Sequence, residues 1–322
     1  MEQRILITGA SGYIGHQLGE RLSKTLPVFG IDIRSKAASF PVYVMDICDK
    51  ALGALMQSKS ITHVIHLASV MSAGRDQAAE YRIDVEGTRN VLDACLYAGV
   101  EHITVSSSGA AYGYYPDNPS KLDEHHPLRG NPEFGYSYNK RQVEALLAEY
   151  CEKHPRLKQL IFRVSSVLGA KTNNKISALF SQQVILDPGG HNSPFVFVWD
   201  QDVIRAISFG VNTNAGGIFN LAGDGRVSPR EIAHTLSKSL IKPPIWLVKA
   251  VLRLGYSLHL TNTHPSQVAF LQYRPVLDNR RLKEELGFLP EKTSKEVFNF
   301  FAEKALGIAP ASRKCSLPMG EI

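Results

Sequence analysis

The stretch TGASGYIG, residues 8–15, follows directly on the apolar run Ile5–Ile7 and places glycines at positions 9, 12 and 15. A glycine-rich turn between a strand and a helix lets backbone N–H groups hold a pyrophosphate at the helix N-terminus. Gly9 permits the tight turn, Gly12 lets the backbone approach the phosphates, and Gly15 lets the helix lie close to the strand. The stretch therefore predicts a dinucleotide-binding β-α-β unit at the start of the chain.

Short apolar stretches alternate with helical patterns through the first half of the chain. The strand candidates are RILITG, VFGID, VYVMD, THVIHLA and HITVSSS. Between them, DVEGTRNVLDACLYAG has apolar residues at helical spacing and ends at Gly99, and a longer helix is expected over residues 136–154, before Pro155. Nearly continuous apolar strands alternating with helices predict an α/β fold: a Rossmann-type, doubly wound parallel sheet.

The regularity of the pattern weakens after residue 170. We expect residues 1–170 to form the NAD-binding Rossmann domain, with 194–224 returning to its sheet through the strand candidates FVFVWD (195–200) and GIFNLA (218–223). Residues 171–193 and 225–310 are expected to form a smaller, mostly helical C-terminal substrate lobe. Residues 311–322 lack periodicity and are expected to be a loose tail.

The second strand candidate ends in Asp32, about 20 residues beyond the glycine turn. A carboxylate at this place accepts hydrogen bonds from a ribose diol and repels the extra phosphate of NADP, which favours NAD as the cofactor. Arg34 argues in the other direction, because an arginine can accept that phosphate. The prediction is NAD, with NADP as the less favoured alternative.

The stretch FGYSYNKRQVEALL carries the residues expected to transfer a proton. Tyr136 and Lys140 are four residues apart at the start of a helix, so both side chains lie on one face. A phenol is a weak base at neutral pH, and a nearby ammonium group stabilises its phenolate form. Tyr138 has Gln142 at the same spacing and no charge there. Ser108 ends the fifth strand candidate, at the sheet edge where a ligand oxygen would be held.

Taken in order, these motifs resemble the extended short-chain dehydrogenase/reductases, the NAD-dependent epimerase/dehydratase family, over residues of about 4–305. The resemblance implies an NAD-dependent oxidoreductase in which Tyr136 is the acid/base, Ser108 orients the substrate oxygen and Lys140 also binds the nicotinamide ribose. It further implies adenine contacts from Asp46 and Ile47 and a strand-four motif at HLAS, 66–69. The residues implied in cofactor binding are Gly9, Ser11, Gly12, Tyr13, Ile14, Gly15, Asp32, Asp46, Ile47, Leu67, Ala68, Tyr136 and Lys140.

Some positions depart from the pattern of this family. Gly109 and Ala110 stand where dehydratases carry an acidic pair, so dehydratase activity is not expected. Asp84 replaces an asparagine that many relatives have. The run 193–195 lacks the arginine that helps nucleotide-sugar epimerases bind a diphosphate, and Phe197 stands where histidine is frequent.

Two residues remain as candidates for substrate contacts. Ser166 occupies a place where relatives often have asparagine. Arg274 is a candidate for binding an anionic group, with a solvated surface arginine as an equally weighted interpretation.

Three functions stay open at this point. The first is hydride transfer at a secondary alcohol or ketone of a nucleotide-linked sugar, with epimerase-like chemistry. The second is a net dehydrogenase or reductase of a hydrophobic, sterol-like or polyketide-like alcohol, favoured by the missing arginine and by the apolar segment 243–260. The third, a non-catalytic dinucleotide-binding protein, is disfavoured by the intact set of Ser108, Tyr136 and Lys140.

Composition and charge restrict the partners. The 322 residues carry a formal net charge of +6, without a Lys/Arg run, so a small-molecule substrate is expected and nucleic acid is not. Four widely spaced cysteines predict reduced thiols, no metal site and a cytoplasmic location, and no secretion signal is expected.

Two segments bear on larger contacts. Residues 243–260 predict an amphipathic helix with a basic stripe, for which packing on the body of the protein is favoured over contact with a membrane surface. The helical stretches near 77–99 and 136–154 have more apolar positions than one sheet face covers, which predicts a homodimer, with packing on the sheet as the alternative.

Overall fold

The computed structural model describes residues 2–70, 76–261 and 264–308. The strands in these ranges are β1 Ile5–Thr8, β2 Val28–Asp32, β3 Val42–Val44, β4 His63–His66, β5 His102–Ser108, β6 Lys158–Val164, β7 Ser166–Leu168, β8 Val184–Leu186, β9 Phe197–Trp199, β10 Gly217–Leu221 and β11 Ser239–Ile241. The α-helices are α1 Tyr13–Leu22, α2 Leu52–Ser58, α3 Gln77–Tyr81, α4 Gly87–Ala98, α5 Gly135–Lys153, α6 Lys175–Ser181, α7 Asp200–Asn212, α8 Pro229–Thr235, α9 Ile245–Ser257, α10 Val268–Gln272, α11 Arg280–Glu284 and α12 Ser294–Leu306. A π-helical turn, Arg82–Glu86, leads into α4.

Seven strands form one parallel sheet in the order β10-β6-β5-β4-β1-β2-β3. The direction of strand order reverses at β1, which lies between β2 and β4. In open sheets of this kind, ligands bind outside the carboxyl ends of the strands at the point of reversal. The predicted Rossmann-type fold is confirmed, and the glycine turn after β1 lies at this point.

Both faces of the sheet are covered, because successive strand residues point to opposite sides. Ile5 and Ile7 belong to the hydrophobic core on the side of α1 and α7, which also contains Leu18. Leu6 points the other way, into the core that contains Leu92 of α4. The packing on both faces fixes the position of the carboxyl-terminal edge of the sheet, where the candidate site lies.

One predicted strand does not return to the main sheet. The stretch FVFVWD was expected to do so, but its strand β9 pairs in parallel with β7 in a separate two-stranded sheet. The backbone N–H of Ser165 still bonds to Leu221 of β10, whereas that of Ser166 bonds to Val196. The chain therefore changes partner between these two residues. The other returning strand, β10, does pair with β6, as predicted.

A third core lies beyond the main sheet, in the predicted C-terminal lobe. It is rich in phenylalanine, including Phe180 of α6, Phe197 of β9 and Phe298 of α12, whose rings pack edge-to-face or stacked. The helical content predicted for this region is confirmed, with an additional short parallel pair, β8 and β11. The residues predicted to form a loose tail, 311–322, lie outside the described ranges.

Within the described ranges, none of the helices is long and apolar enough to cross a membrane. Cys48, Cys95 and Cys151 are free thiols, and Cys315 lies outside the described residues.

Candidate active site

The glycine turn is packed so tightly that side chains are excluded from it. Gly9 has φ +70°, and a β-carbon on it would lie 2.9 Å from the backbone nitrogen of Ala68. A β-carbon on Gly15 would lie 2.2 Å from the carbonyl oxygen of Gly9. Gly12 precedes α1 without a side-chain cap, so the helix N-terminus offers its N–H groups to a ligand. This cradle fits a dinucleotide pyrophosphate.

Asp32 lies against the same turn. One oxygen of its carboxylate accepts a hydrogen bond from the Ser11 backbone N–H at 3.0 Å, and the other accepts one from the Arg34 N–H at 3.2 Å. The Ser11 hydroxyl donates to the Arg34 carbonyl. The carboxylate thus stands at the end of β2 beside the cradle, with lone pairs left for a diol.

The other predicted cofactor residues lie along the same edge. Asp46 follows β3 and accepts a hydrogen bond from the Cys48 N–H at 2.8 Å. Ile47 is buried beside α4. The N–H groups of Leu67 and Ala68, just after β4, both point to the Thr8 hydroxyl at 3.2 Å. These residues lie at the carboxyl ends of β1, β3 and β4, which together form the rim of the candidate cofactor site.

Tyr136 and Lys140 lie together on the first turns of α5. The Lys140 Nζ is 5.8 Å from the centre of the Tyr136 ring and donates to the Ser106 carbonyl of β5 at 3.2 Å. Lys140 is buried and Tyr136 is half-buried. The lysine is therefore anchored to the sheet, with its charge beside the phenol.

The last two serines of β5 have different surroundings. The hydroxyl of Ser107 is buried and donates to Glu144, which also forms an ion pair with Arg163 at 2.8 Å. Ser108 is half-buried, and its Oγ accepts only the Ala110 N–H, at 3.1 Å, within the described part of the chain. The Ser107 hydroxyl is thus occupied by a structural hydrogen bond, whereas the Ser108 hydroxyl has a proton left for a ligand.

Sequence reasoning missed an aromatic cluster beside Tyr136. The ring of Phe134 is 6.4 Å from that of Tyr136 and stacks on Tyr114 at 5.7 Å. Phe270 of α10 meets Tyr114 edge-on at 5.3 Å. Burial raises the pKa of Tyr114, so its phenol stays protonated. No spacing rule connects positions 114, 134 and 270, because three separate segments supply them.

Arg274, predicted either to bind an anion or to be solvated, is 8% exposed. Its guanidinium lies 3.6 Å from the centre of the Phe195 ring and donates to the Ser193 carbonyl. Burial lowers the pKa of Arg274 to about 9, so it remains charged at neutral pH. Its Nε has no hydrogen-bond partner among the described residues. The solvated interpretation is wrong, and an orphaned donor of this kind fits an anionic ligand.

Ser166, the other substrate candidate, is half-buried at the start of β7, in register with Phe197 of β9. Its backbone N–H bonds to the Val196 carbonyl. It therefore lies where the chain leaves the main sheet, on a different strand from Ser108.

A second group that the sequence did not reveal ties the glycine turn to the chain beyond β7. The Tyr13 hydroxyl donates to Asp200, at the start of α7, and accepts a longer hydrogen bond from Thr172. A β-carbon on Gly169 would overlap the Asp200 carboxylate. Burial, followed by the bond to Asp200, raises the pKa of Tyr13. Tyr13 thus holds the turn in place in addition to its predicted cofactor role.

Asp84, the residue that departs from the family pattern, is buried in the π-helical turn. One oxygen accepts hydrogen bonds from the Ser69 hydroxyl and the Val70 N–H, and the other has no partner among the described residues. The side chain thereby fixes the segment that follows β4. Nowhere in the described ranges do three or more His, Cys, Asp or Glu side chains form a group able to hold a metal ion.

Comparison with known proteins identifies the family of this chain and solved structures with the same fold. A family model described as "NAD dependent epimerase/dehydratase family" matches residues 5–222. The UDP-glucose 4-epimerase of Mycolicibacterium smegmatis is 27% identical, over 94% of this chain and 99% of its own. Two solved structures share the fold: the UDP-glucose 4-epimerase of Thermotoga maritima with UDP-glucose, at TM-score 0.73 and 19% identity, and that of Thermus thermophilus with NAD, at 0.72 and 21%. Each covers 94% of this chain and 98% of the solved chain.

Proposed function

The chain belongs to the NAD-dependent epimerase/dehydratase family, and from this we propose that it inverts a secondary alcohol of a nucleotide-linked sugar by transient oxidation. The protein is an NAD-dependent enzyme, as the sequence predicted. The observation that carries the proposal is the buried Lys140, whose ammonium lies 5.8 Å from the Tyr136 ring and is anchored to the strand that ends in Ser108.

The dinucleotide fits the rim described above. Its pyrophosphate would rest on the N–H groups of the turn closed by Gly9 and Gly15, and its adenosine ribose would bond to Asp32. Leu67, Ala68, Asp46 and Ile47 would line the rest of its path. When bound, NAD supplies the acceptor and donor of the hydride.

The residues of this chain would then handle the proton. Ser108 Oγ donates a hydrogen bond to the substrate oxygen and holds it near the phenol. Tyr136, as phenolate, takes the hydroxyl proton while the carbinol carbon loses a hydride, which leaves a ketone. The proton returns from Tyr136 when the hydride comes back to the other face. The positive charge of Lys140, 5.8 Å from the centre of the Tyr136 ring, would attract the negative charge on the phenol oxygen during the reaction.

The charged end of the substrate is assigned to Arg274. This guanidinium is buried and cationic, and it has an unsatisfied Nε, so a diphosphate would supply the missing acceptor. It replaces the arginine that is absent from the run 193–195. Ser166 is the second proposed substrate contact. Dehydration is not proposed, because Gly109 and Ala110 cannot supply an acid and a base.

The test is turnover of a panel of UDP- and dTDP-linked hexoses, with product sugars separated by chromatography and absorbance followed at the nicotinamide wavelength. We expect conversion between epimers without accumulation of NADH. Tyr136→Phe should lower kcat at least about a hundredfold while it leaves NAD binding nearly intact. If NAD binds but no sugar in the panel is converted, the epimerase proposal is refuted.

The matched control is Tyr138→Phe. Tyr138 lies two residues further along the same helix, is also half-buried and has the uncharged Gln142 at the lysine spacing. Loss of the same hydroxyl there should leave kcat within about twofold of the parent. Equal losses in the two variants would show that the phenol of Tyr136 is not the acid/base.

A net oxidoreductase acting on a hydrophobic alcohol is the second candidate. The aromatic cluster of Tyr114, Phe134 and Phe270 beside Tyr136 favours it, since these rings offer an apolar wall. Under this alternative, NADH accumulates in a one-to-one ratio with the oxidised alcohol, and epimers do not interconvert.

A cytoplasmic homodimer through α4 and α5 is part of the proposal. One exposed aromatic side chain on α4, Tyr97, is available for such a contact. Most apolar positions of both helices are already buried against the sheet, so the interface would be modest. Light scattering after size exclusion gives the oligomeric state directly.

A further inference from the structure

Helix α9 has apolar side chains on two opposite faces. Its inner face, with Ile245, Val248 and Leu252, is half-buried. Ile245 packs against the turn at Gly189, where an added β-carbon would lie 2.9 Å from its side chain. The predicted packing on the body of the protein therefore involves this face alone, and no residue of the helix is fully buried.

The outer face forms an exposed apolar stripe, which we define as Leu247, Val251, Leu254 and Leu258. These positions follow the i, i+4, i+7, i+11 spacing of one helix face. The four side chains are 40%, 62%, 62% and 58% exposed. Single exposed apolar residues are ordinary, but a continuous stripe indicates a contact with another surface.

An aromatic residue and cations lie on α9 away from the stripe. At about 100° per residue, the exposed Arg253 and the 71% exposed Trp246 lie to one side of the stripe, and the exposed Lys249 lies opposite it. Tryptophan and basic residues beside an apolar stripe are typical of helices that lie in the interface of a bilayer. There the indole ring lies among the headgroups while the cations face the phosphates.

The charge of the surrounding segment favours an anionic occupant. Residues 232–277 contain five Lys or Arg and no Asp or Glu; Lys242, Lys249 and Arg253 are exposed, whereas Lys238 is half-buried and Arg274 is buried. Lys242 lies just before the helix. A second copy of this chain would bring the same positive charge to the contact, which like-charge repulsion disfavours.

We propose that α9 docks this protein on a bilayer that contains anionic phospholipids. The exposed stripe enters the boundary between headgroups and acyl chains, and Lys242 and Arg253 contact lipid phosphates. The inner face stays on the protein, so docking does not require the helix to leave its place.

Docking would orient the candidate active site. Helix α9 contacts α10, whose Phe270 lies 5.3 Å from the Tyr114 ring and 5.2 Å from the Arg274 guanidinium. The docked helix would therefore be next to the segment that carries Phe270 of the proposed substrate-binding region. The inference stands apart from the proposed reaction, because it requires neither NAD nor a substrate.

Flotation of the full chain with vesicles tests the proposal. We expect binding to vesicles of 30% phosphatidylglycerol and 70% phosphatidylcholine, a blue shift of Trp246 emission, and release by 0.5 M salt. Pure phosphatidylcholine vesicles should bind at least tenfold more weakly. Lys242→Gln and Arg253→Gln should each weaken binding about fivefold.

Leu254→Asp, in the exposed stripe, should weaken binding at least tenfold. The matched control is Leu289→Asp, which adds the same charge at a leucine that is 65% exposed but lies outside α9; it should bind as the parent does. An unchanged thermal shift with NAD shows that each variant is folded. The proposal is overturned if the protein binds vesicles of neither composition, or if Leu254→Asp and Leu289→Asp bind them equally well. It is also overturned if the parent is a dimer that binds no vesicles and Leu254→Asp only makes it a monomer.

Discussion

Acid should destabilise this protein through His66, the last residue of β4. His66 is 3% exposed and lies between two hydroxyls, with its Nδ1 2.7 Å from Thr8 Oγ1 and its Nε2 3.0 Å from Thr88 Oγ1. The Thr88 proton is donated to the Asp84 carbonyl, so Thr88 accepts from Nε2–H. The Thr8 proton is then donated to Nδ1. A neutral imidazole satisfies every partner, and a protonated one would lose the bond at Nδ1.

The magnitude follows from the pKa of this imidazole. Burial, with the charge of Lys140 as a second cause, lowers the pKa of His66 from 6.5 to about 3. Below pH 6.5 the unfolded chain binds a proton that the folded chain refuses, so stability is present above that pH and is lost as the pH falls towards 3. Between pH 7 and pH 5 the free energy of unfolding should fall by about 2 kcal/mol through this residue.

The assay is urea unfolding at pH 7 and pH 5 for the parent and for His66→Asn. The variant is less stable than the parent at both pH values. From pH 7 to pH 5, however, its free energy of unfolding should fall by about 2 kcal/mol less than that of the parent. The other groups that titrate in this range, including the buried His63, cancel in the comparison. His125→Asn, at an exposed histidine, is the control and should lose as much as the parent. Equal losses in the parent and His66→Asn would refute a neutral, buried imidazole at this position.

Two further substitutions test the cradle and the core. Gly15→Ala places a β-carbon 2.2 Å from the Gly9 carbonyl oxygen, so we expect the thermal shift produced by NAD to disappear; an undiminished shift would contradict the packing of the turn. Arg163→Met leaves the carboxylate of Glu144 buried without its partner and should cost about 3 to 5 kcal/mol in urea unfolding. Lys153→Met, at an exposed ion pair with Glu149, should cost about 1 kcal/mol or less, and similar losses in the two variants would contradict this account.

Much of the dinucleotide-binding half could be predicted from the sequence because its signals are local. The apolar run of β1, the glycines that follow it and Asp32 at the end of β2 each lie within one short segment, and the structure has both strands at the predicted positions. Helix α4 ends at Gly99, as predicted, and the structure shows this residue in the left-handed conformation. Such signals depend on steric limits within a few residues.

The separation of β9 from the main sheet could not be predicted in this way. The stretch FVFVWD is as apolar as the strands of the main sheet, and its periodicity does not say which strand will be its neighbour. The backbone N–H of Ser165 bonds to Leu221 of β10, whereas that of Ser166 bonds to Val196, just before β9. The pairing partner of the chain therefore changes between these two residues. Pairing joins residues that are distant in the chain, so it is decided by how whole elements pack.

By itself, the sequence determined the type of fold, the place of the cradle and the spacing of Tyr136 from Lys140. Only the tertiary structure decided that Ser107 is committed to Glu144, that Arg274 is buried on Phe195, and that α9 has an exposed outer face. The physical reason is the range of the forces concerned. Turns and helix faces are fixed by neighbours within a few residues, whereas burial and the sharing of hydrogen bonds depend on which distant segments meet.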